Sequence, residues 1–139
     1  MINEETKKKL QEKYIEFQLL QQQIQEVQEQ RRLITQRSME INETKNSLDE
    51  LSNVEKDKYI LSQLGSGTII KTKLVDSKKV FVNAGANVLV LKTISEAKEF
   101  MDKQLKELDE ALNNVDYTLN KAREHLHTLQ KSIVELSKE

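Results

Sequence analysis

An unbroken heptad pattern in the last third of the chain constrains the fold more than any other feature of the sequence. From Leu105 to Leu136, apolar residues recur at alternating steps of three and four, which is the spacing of a coiled-coil seam. Thr93 and Glu96 have the spacing of an N-terminal capping box. The chain has no proline, so the commonest helix breaker is absent. We therefore expect a coiled-coil helix over residues 93–139.

A second heptad pattern, in the first third of the chain, is less regular. One seam position is apolar at every seventh residue from Leu20 to Leu48. Asn3 can cap a helix that begins near Glu4, and we expect this helix to occupy residues 1–54. The other seam position turns polar at three places, which leaves the exact pairing of this helix open. These places are Arg31, Ser38 and Lys45.

The two helices have nearly equal length, and each carries one narrow apolar stripe. Neither stripe is wide enough to keep a helix folded alone in water. Packing the stripes against each other is the simplest way to bury both. The pattern therefore predicts an antiparallel coiled-coil hairpin with both termini at the same end.

Residues 55–92 change from heptad spacing to β-strand character, with β-branched residues between short turns. Segments 80–82 and 88–91 are apolar on both faces, and a two-helix coil cannot cover both faces of a sheet. We expect strands of other subunits to cover the remaining faces and edges. Four strands in two successive β-hairpins are predicted, over residues 58–61, 68–74, 79–83 and 88–91.

The predicted fold class is mainly α with a small β part. It is a long antiparallel coiled-coil hairpin with two β-hairpins, four strands in all, at the bend. We expect residues 1–139 to form one such unit, which oligomerises through residues 55–92.

No residue pattern in the sequence indicates catalysis, a metal site or a cofactor. The chain has no cysteine, which excludes disulfides and thiolate metal sites. His125 and His127 are two residues apart and so lie on different faces of a helix. Gly65-Ser66-Gly67 precedes a strand, and a phosphate-binding loop would precede a helix. We therefore expect a protein that is not an enzyme.

Charge and hydropathy give no nucleic-acid or membrane signature. The net charge is −1, although residues 55–92 hold seven basic and three acidic residues. With few aromatic residues to stack on bases, this basic block is better interpreted as a solvated sheet face than as a nucleic-acid site. No apolar stretch reaches the roughly 20 residues of a membrane span, and the N-terminus lacks the order of a signal peptide. We expect a soluble, cytoplasmic protein.

Apolar residues beside the seam near both chain ends leave two interpretations open. They are Ile2, Tyr14, Ile15, Leu19 and Val134. Either they widen the coiled-coil seam, or they form an exposed apolar surface that binds flexible partners.

Three segments resemble the alpha class of the archaeal prefoldin family. They are LGSGTIIKTKL at 64–74, KVFVNAGANV at 79–88 and TISEA at 93–97. The architecture of the whole chain fits this resemblance, and two β-hairpins match the alpha class, whereas the beta class is expected to carry one.

The resemblance implies a hexamer of two alpha and four beta subunits whose hairpins form a double β-barrel platform. Its coiled coils would capture unfolded polypeptides without ATP and pass them to a group II chaperonin. By position, the client-contacting residues would be Leu10, Tyr14, Ile15, Phe17, Leu19, Ile133, Val134 and Leu136. The platform would be built by Thr68, Ile69, Ile70, Thr72, Leu74, Val80, Phe81, Val82, Val88, Leu89, Val90 and Leu91.

A second interpretation is a prefoldin-like structural protein that assembles into filaments through the same hairpins. Closed particles and filaments differ only in whether the rotation at the interface closes. The sequence does not decide between them.

Overall fold

The computed structural model describes residues 3–138, so Ile2, one of the apolar residues noted above, lies outside the described residues. The described part contains two long helices and four short strands, which confirms the predicted fold class. In chain order the elements are α1 (Glu4–Ser52), β1 (Tyr59–Gly65), β2 (Thr68–Lys73), β3 (Lys79–Asn83), β4 (Leu89–Thr93) and α2 (Ile94–Ser137).

The chain divides into two compact units. Residues 1–37 and 108–139 form the first, here called the terminal unit. Residues 38–107 form the second, the central unit, which contains all four strands. Both helices contribute residues to both units.

Both helices begin at the caps that the sequence predicts. The backbone N–H of Thr6 donates to Asn3 Oδ1 at 2.8 Å, which caps α1. At α2, the N–H of Glu96 donates to Thr93 Oγ1 at 3.1 Å and the N–H of Thr93 donates to Glu96 Oε1 at 3.2 Å. These reciprocal bonds are the predicted capping box. Hydrogen bonds from the Thr93 side chain and backbone lower the pKa of Glu96.

In the terminal unit, α1 and α2 pack along the predicted seam. Each helix presents one apolar stripe to the other, and the described residues contain no fully buried large side chain. The core here is therefore a narrow seam and not a thick interior. Its buried members are Leu20, Ile24, Leu119, Leu129 and Ile133, flanked by the partly buried Leu10, Phe17, Val27, Ala122 and Leu126.

In the central unit, the helices also cover one face of the second hairpin. Val82 of β3 is buried against Leu48 of α1 and Ala97 of α2, and Ala97 has no exposed surface. The small side chain of Ala97 lets the strand approach the helix closely. Around this contact lie the partly buried Val80, Ile94, Phe100 and Met101.

Two of the three polar interruptions in the α1 seam have acidic partners on α2. In the terminal unit, Arg31 Nε lies 2.7 Å from Asp116 Oδ1. In the central unit, Lys45 pairs with Asp102, and one turn further Asp49 pairs with Lys98. A step of four residues toward the C-terminus of α1, from Lys45 to Asp49, corresponds to a step of four residues toward the N-terminus of α2, from Asp102 to Lys98. The helices are therefore antiparallel here, and the sign of the charge alternates along each of them. The third interruption, Ser38, is half-buried.

The four strands form two separate antiparallel hairpins. Tyr59 of β1 pairs with Lys73 of β2, and Lys79 of β3 pairs with Thr93 of β4. β1 is longer than expected from the sequence, because its turn needs only the two residues 66–67. Ser66 and Gly67 both have positive φ, 48° and 75°, as a tight hairpin turn requires.

The second hairpin turn places an alanine in a conformation that suits glycine. Ala86 has φ 50° and Asn87 has φ 61°, and the N–H of Val88 donates to the carbonyl of Gly85 at 3.0 Å. Asparagine tolerates this left-handed region, whereas the Cβ of alanine makes it unfavourable by about 1–2 kcal/mol.

We expect Ala86→Gly to stabilise the protein by about 0.5 kcal/mol, because relief of the left-handed strain exceeds the added entropy of glycine in the unfolded chain. Chemical denaturation measures the change in the free energy of unfolding. Ala84→Gly, two residues earlier and not at positive φ, is the control and should destabilise. Equal effects of the two substitutions would contradict the assignment of strain to Ala86.

We expect Lys45→Glu to destabilise the central unit, because it places a carboxylate beside Asp102. Adding Asp102→Lys should restore much of the loss, with a coupling free energy of about 0.5 kcal/mol in a double-mutant cycle. Lys106→Glu, an exposed change on α2, is the control. A coupling of zero would show that this pair does not contribute to the helix register.

Candidate functional site

The second hairpin, β3–β4, has one covered face and one uncovered face. Val80, Val82 and Val90 point toward the helices and are at least half-buried. The opposite face carries the cross-strand pair Phe81 and Leu91, and Phe81 is 69% exposed. We call this the outer face of the second hairpin; it consists of Phe81, Leu89 and Leu91, with Lys79 at one end.

The first hairpin, β1–β2, is more open. On one face, Ser62 and Thr72 share a hydroxyl hydrogen bond at 2.8 Å beside the half-buried Ile60. The other face carries large apolar side chains together with lysines, and Leu61 on it is 74% exposed. We call this second surface the lysine face; it consists of Tyr59, Leu61, Gln63, Ile69, Lys71 and Lys73.

The twelve residues predicted to build a platform divide by burial. Val82 is buried and Val80 packs beside it, so these two side chains hold the hairpin on the helices. Thr72, Leu74 and Val90 are half-buried. The members that remain exposed and available to another subunit are Thr68, Ile69, Ile70, Phe81, Val88, Leu89 and Leu91.

Four exposed apolar residues of this region are absent from the predicted set. Tyr59 and Leu61 alternate with Ile60, a period of two that assigns them to one face of β1. That alternation was the available signal, and it extends past the predicted strand end. The four are Tyr59, Leu61, Leu64 and Val75.

The predicted client-contacting residues also divide into two groups. Ile133 is buried in the seam, and Leu10 and Phe17 are partly buried against the same seam cluster. Leu136 is half-buried. The other four residues are exposed. They are Tyr14, Ile15, Leu19 and Val134.

The exposed residues lie outside the seam because of their phase on the helix. Ile15 is about 200° around α1 from the seam residue Phe17, and Leu19 lies one turn beyond Ile15 on the same stripe. Ile15 is 60% and Leu19 56% exposed. Ile15 and Leu19 therefore do not widen the seam and lie on the exposed surface of α1.

Further exposed apolar residues lie along the helices. Leu33 and Met39 on α1 and Tyr117 on α2 are each more than half exposed. Hydropathy alone does not reveal their exposure, since Leu33 is next to the seam residue Ile34 and is as apolar as a seam member.

Polar groups in the terminal unit pair across the helices without forming a reactive cluster. His125 Nε2 lies 3.2 Å from Glu16 Oε1, and both side chains are about half exposed. Within residues 3–138 there is no group of three or more His, Cys, Asp or Glu side chains that could hold a metal ion. No helix in this range is long and apolar enough to cross a bilayer.

Comparison with known proteins identifies the family. The family model for "Prefoldin subunit" matches residues 20–139, which include both hairpins and all of α2. The chain belongs to the prefoldin family. Prefoldins are chaperone subunits that assemble with other prefoldin subunits.

Curated relatives in the family are alpha subunits. The chain is 36% identical to prefoldin subunit alpha 1 of Thermococcus kodakarensis over 103 residues, 74% of this chain and 70% of that protein. It is 31% identical to prefoldin subunit alpha of Methanococcus aeolicus over 126 residues, 91% of this chain and 85% of that protein. These matches confirm the resemblance to the alpha class.

Solved prefoldin structures share the fold. A filamentous PFD from Methanocaldococcus jannaschii, determined by cryo-electron microscopy, matches with a TM-score of 0.75 at 16% identity, over 83% of this chain and 95% of that chain. The crystal structure of the prefoldin beta subunit from Thermococcus strain KS-1 matches with a TM-score of 0.55 at 21% identity, over 90% of this chain and 89% of that one.

Proposed function

We propose that this chain is the alpha-type subunit of a cytoplasmic, ATP-independent chaperone that holds unfolded polypeptides. Residues 1–139 serve as one subunit, two copies combine with four beta-type subunits, and the hexamer passes its clients to a group II chaperonin. The observation that carries the proposal is the exposed apolar surface of the terminal unit, which lies outside a seam that is already closed.

The client surface consists of Tyr14, Ile15, Leu19 and Val134. Large apolar side chains that stay half exposed, or nearly so, are available for binding. Apolar contact has no directional requirement, so such a surface suits unfolded chains of varied sequence. Each contact is weak, but several subunits bound to one client would raise the effective concentration of the next contact. Binding of this kind needs neither a nucleotide nor a cofactor.

The other predicted client residues take a supporting role. Leu10, Phe17 and Ile133 pack in the seam of the terminal unit, so a client reaches them only where the two helices separate. Leu136 is half-buried, so its exposure is intermediate between that of the seam residues and that of the client surface. In the proposal these residues keep the helix pair closed and hold the exposed residues in place.

The assembly surface consists of the outer face of the second hairpin and both faces of the first. Among residues 3–138 each sheet has two strands, so every strand has one edge without a backbone partner in its own sheet. Free edges and uncovered apolar faces favour pairing with other strands. Joining the hairpins of several subunits into β-barrels would remove both.

Replacing Tyr14, Ile15 and Leu19 together by serine should weaken suppression of client aggregation at least about fivefold. Complete burial of one large apolar side chain against a client contributes roughly 1.5–3 kcal/mol of binding free energy, and each substitution removes this contribution. The seam residues are untouched, so circular dichroism and sedimentation should show an unchanged fold and assembly. Light scattering of chemically unfolded citrate synthase, diluted into the assembled chaperone, measures the holding activity.

The matched control replaces Tyr117, Leu33 and Met39 by serine, which removes one aromatic and two aliphatic side chains of similar exposure from other stretches of the helices. This control should hold the client as well as the unmodified protein. If both triple variants lose activity equally, the client surface is not confined to the stretch 14–19.

A filament-forming structural role is the second candidate. It is favoured by the fold match to a filamentous PFD and by the free edges of both hairpins. In this case the same faces join copies of this chain without closing a ring.

Combining the purified chain with a prefoldin beta subunit distinguishes the two proposed functions. The chaperone proposal expects a particle of defined size only when the chain is combined with a prefoldin beta subunit, as measured by multi-angle light scattering. Long polymers formed by this chain alone, seen by negative-stain electron microscopy, would instead support the filament.

A further inference from the structure

The lysine face of the first hairpin combines an apolar centre with unbalanced positive charge. Its strands, residues 59–65 and 68–73, contain no aspartate or glutamate. Between Lys58 and Ser95, Asp76 is the only acidic residue, and it lies in the connection between the hairpins. The exposed charge of the two hairpins is therefore almost entirely positive.

Two lysines belong to this face, Lys71 in its middle and Lys73 at the end of the hairpin away from the turn. Lys71 pairs across the strands with Leu61, and Lys73 pairs with Tyr59. The ammonium group of Lys71 lies 4.7 Å from the centre of the Tyr59 ring. This cation–π contact holds one positive charge over the apolar surface.

Neither lysine has an acidic partner within the residues that the structure describes. In the isolated chain, water solvates both ammonium groups. A subunit that covers Tyr59 and Leu61 must displace part of this water, and burying an unpaired charge is strongly unfavourable. The covering surface therefore has to supply carboxylates at matching positions.

A second copy of this chain cannot supply them from its hairpins. Its lysine face would bring Lys71 and Lys73 against the same residues, and its outer face brings Lys79 and no acid. Such like-charge contacts across an interface disfavour the wrong partner. The outer face of the second hairpin differs, since its exposed centre of Phe81, Leu89 and Leu91 is uncharged and has no such preference.

We propose that the lysine face selects a different, carboxylate-bearing subunit and rejects the hairpins of a second copy of this chain. This proposal rests on the proposed function, because it names the chemistry of the partner at one of its assembly surfaces. The partner presents apolar strands with aspartate or glutamate placed to meet Lys71 and Lys73. The charge thus decides which subunit docks, and the apolar contact supplies the adhesion.

The test uses the full chain, with the prefoldin beta subunit of Thermococcus strain KS-1 as the probe. Sedimentation velocity measures complex formation at about 0.05 M and about 0.5 M salt, where screening is weak and strong respectively. The variants carry Lys71→Glu with Lys73→Glu, or Lys71→Gln with Lys73→Gln. Both lysines are exposed, so the hairpin should remain folded. The matched control is Lys103→Glu with Lys106→Glu, the same charge change on the exposed surface of α2.

The glutamate variant should bind the beta subunit at least about tenfold more weakly than the control at low salt. The glutamine variant should bind with intermediate affinity, and its affinity should fall less with added salt than that of the unmodified chain. Binding of the glutamate variant as tight as that of the control would overturn the proposal. A single-stranded oligonucleotide that displaces the beta subunit from the unmodified chain, but does not bind the glutamate variant, would also overturn it, because the face would then be a nucleic-acid site.

A further variant separates this proposal from the proposed function. Phe81→Ser with Leu91→Ser removes two of the three apolar side chains of the outer face without changing the charge. If this variant fails to assemble while the glutamate variant assembles normally, the hairpins do form the assembly surface and the charge selection is wrong. If the unmodified chain forms no complex with the beta subunit, both proposals fail.

Discussion

Burial of two narrow apolar stripes against each other is the interaction on which the other features of this structure depend. Each helix is too thinly apolar to be stable alone, and no large side chain among the described residues is completely buried. Stability therefore comes from many partly buried contacts along a seam. Ion pairs such as Arg31–Asp116 and Lys45–Asp102 occupy the places where the α1 stripe is polar. Because these pairs form only in one alignment, they favour a single antiparallel register.

A seam of this kind leaves much of the apolar surface uncovered. The helices can bury only one face of one hairpin, and they do so through Val82, Leu48 and Ala97. The outer face of the second hairpin and the lysine face of the first stay exposed. In an isolated chain these surfaces would be liable to aggregate, so their exposure fits a subunit that functions within an assembly.

Because the seam leaves apolar residues uncovered, the protein has two exposed apolar surfaces that differ in chemistry. The hairpin surfaces lie on strands, with free edges and, on the lysine face, ordered positive charge. Such features suit specific docking of a defined subunit. The terminal unit presents Tyr14, Ile15 and Leu19 on a helix whose backbone hydrogen bonds are already made within the helix. That surface offers only side-chain contact, which suits partners without defined structure. Membership in the prefoldin family is consistent with both uses.

The helices, their caps and the presence of two hairpins can be predicted from local patterns in the amino-acid sequence. Heptad spacing, Asn3, the Thr93–Glu96 box and the glycines at the first turn are local signals, and local hydrogen bonding or sterics fix their outcome. Which apolar residues are buried depends on tertiary packing. Val82 and Phe81 are adjacent and both apolar, yet one is buried and the other exposed, because the helices pack on one side only. Ile133 is buried and the adjacent Val134 is exposed for the same reason. Hydropathy records that a side chain avoids water, but whether it can do so depends on which surface the rest of the chain brings against it.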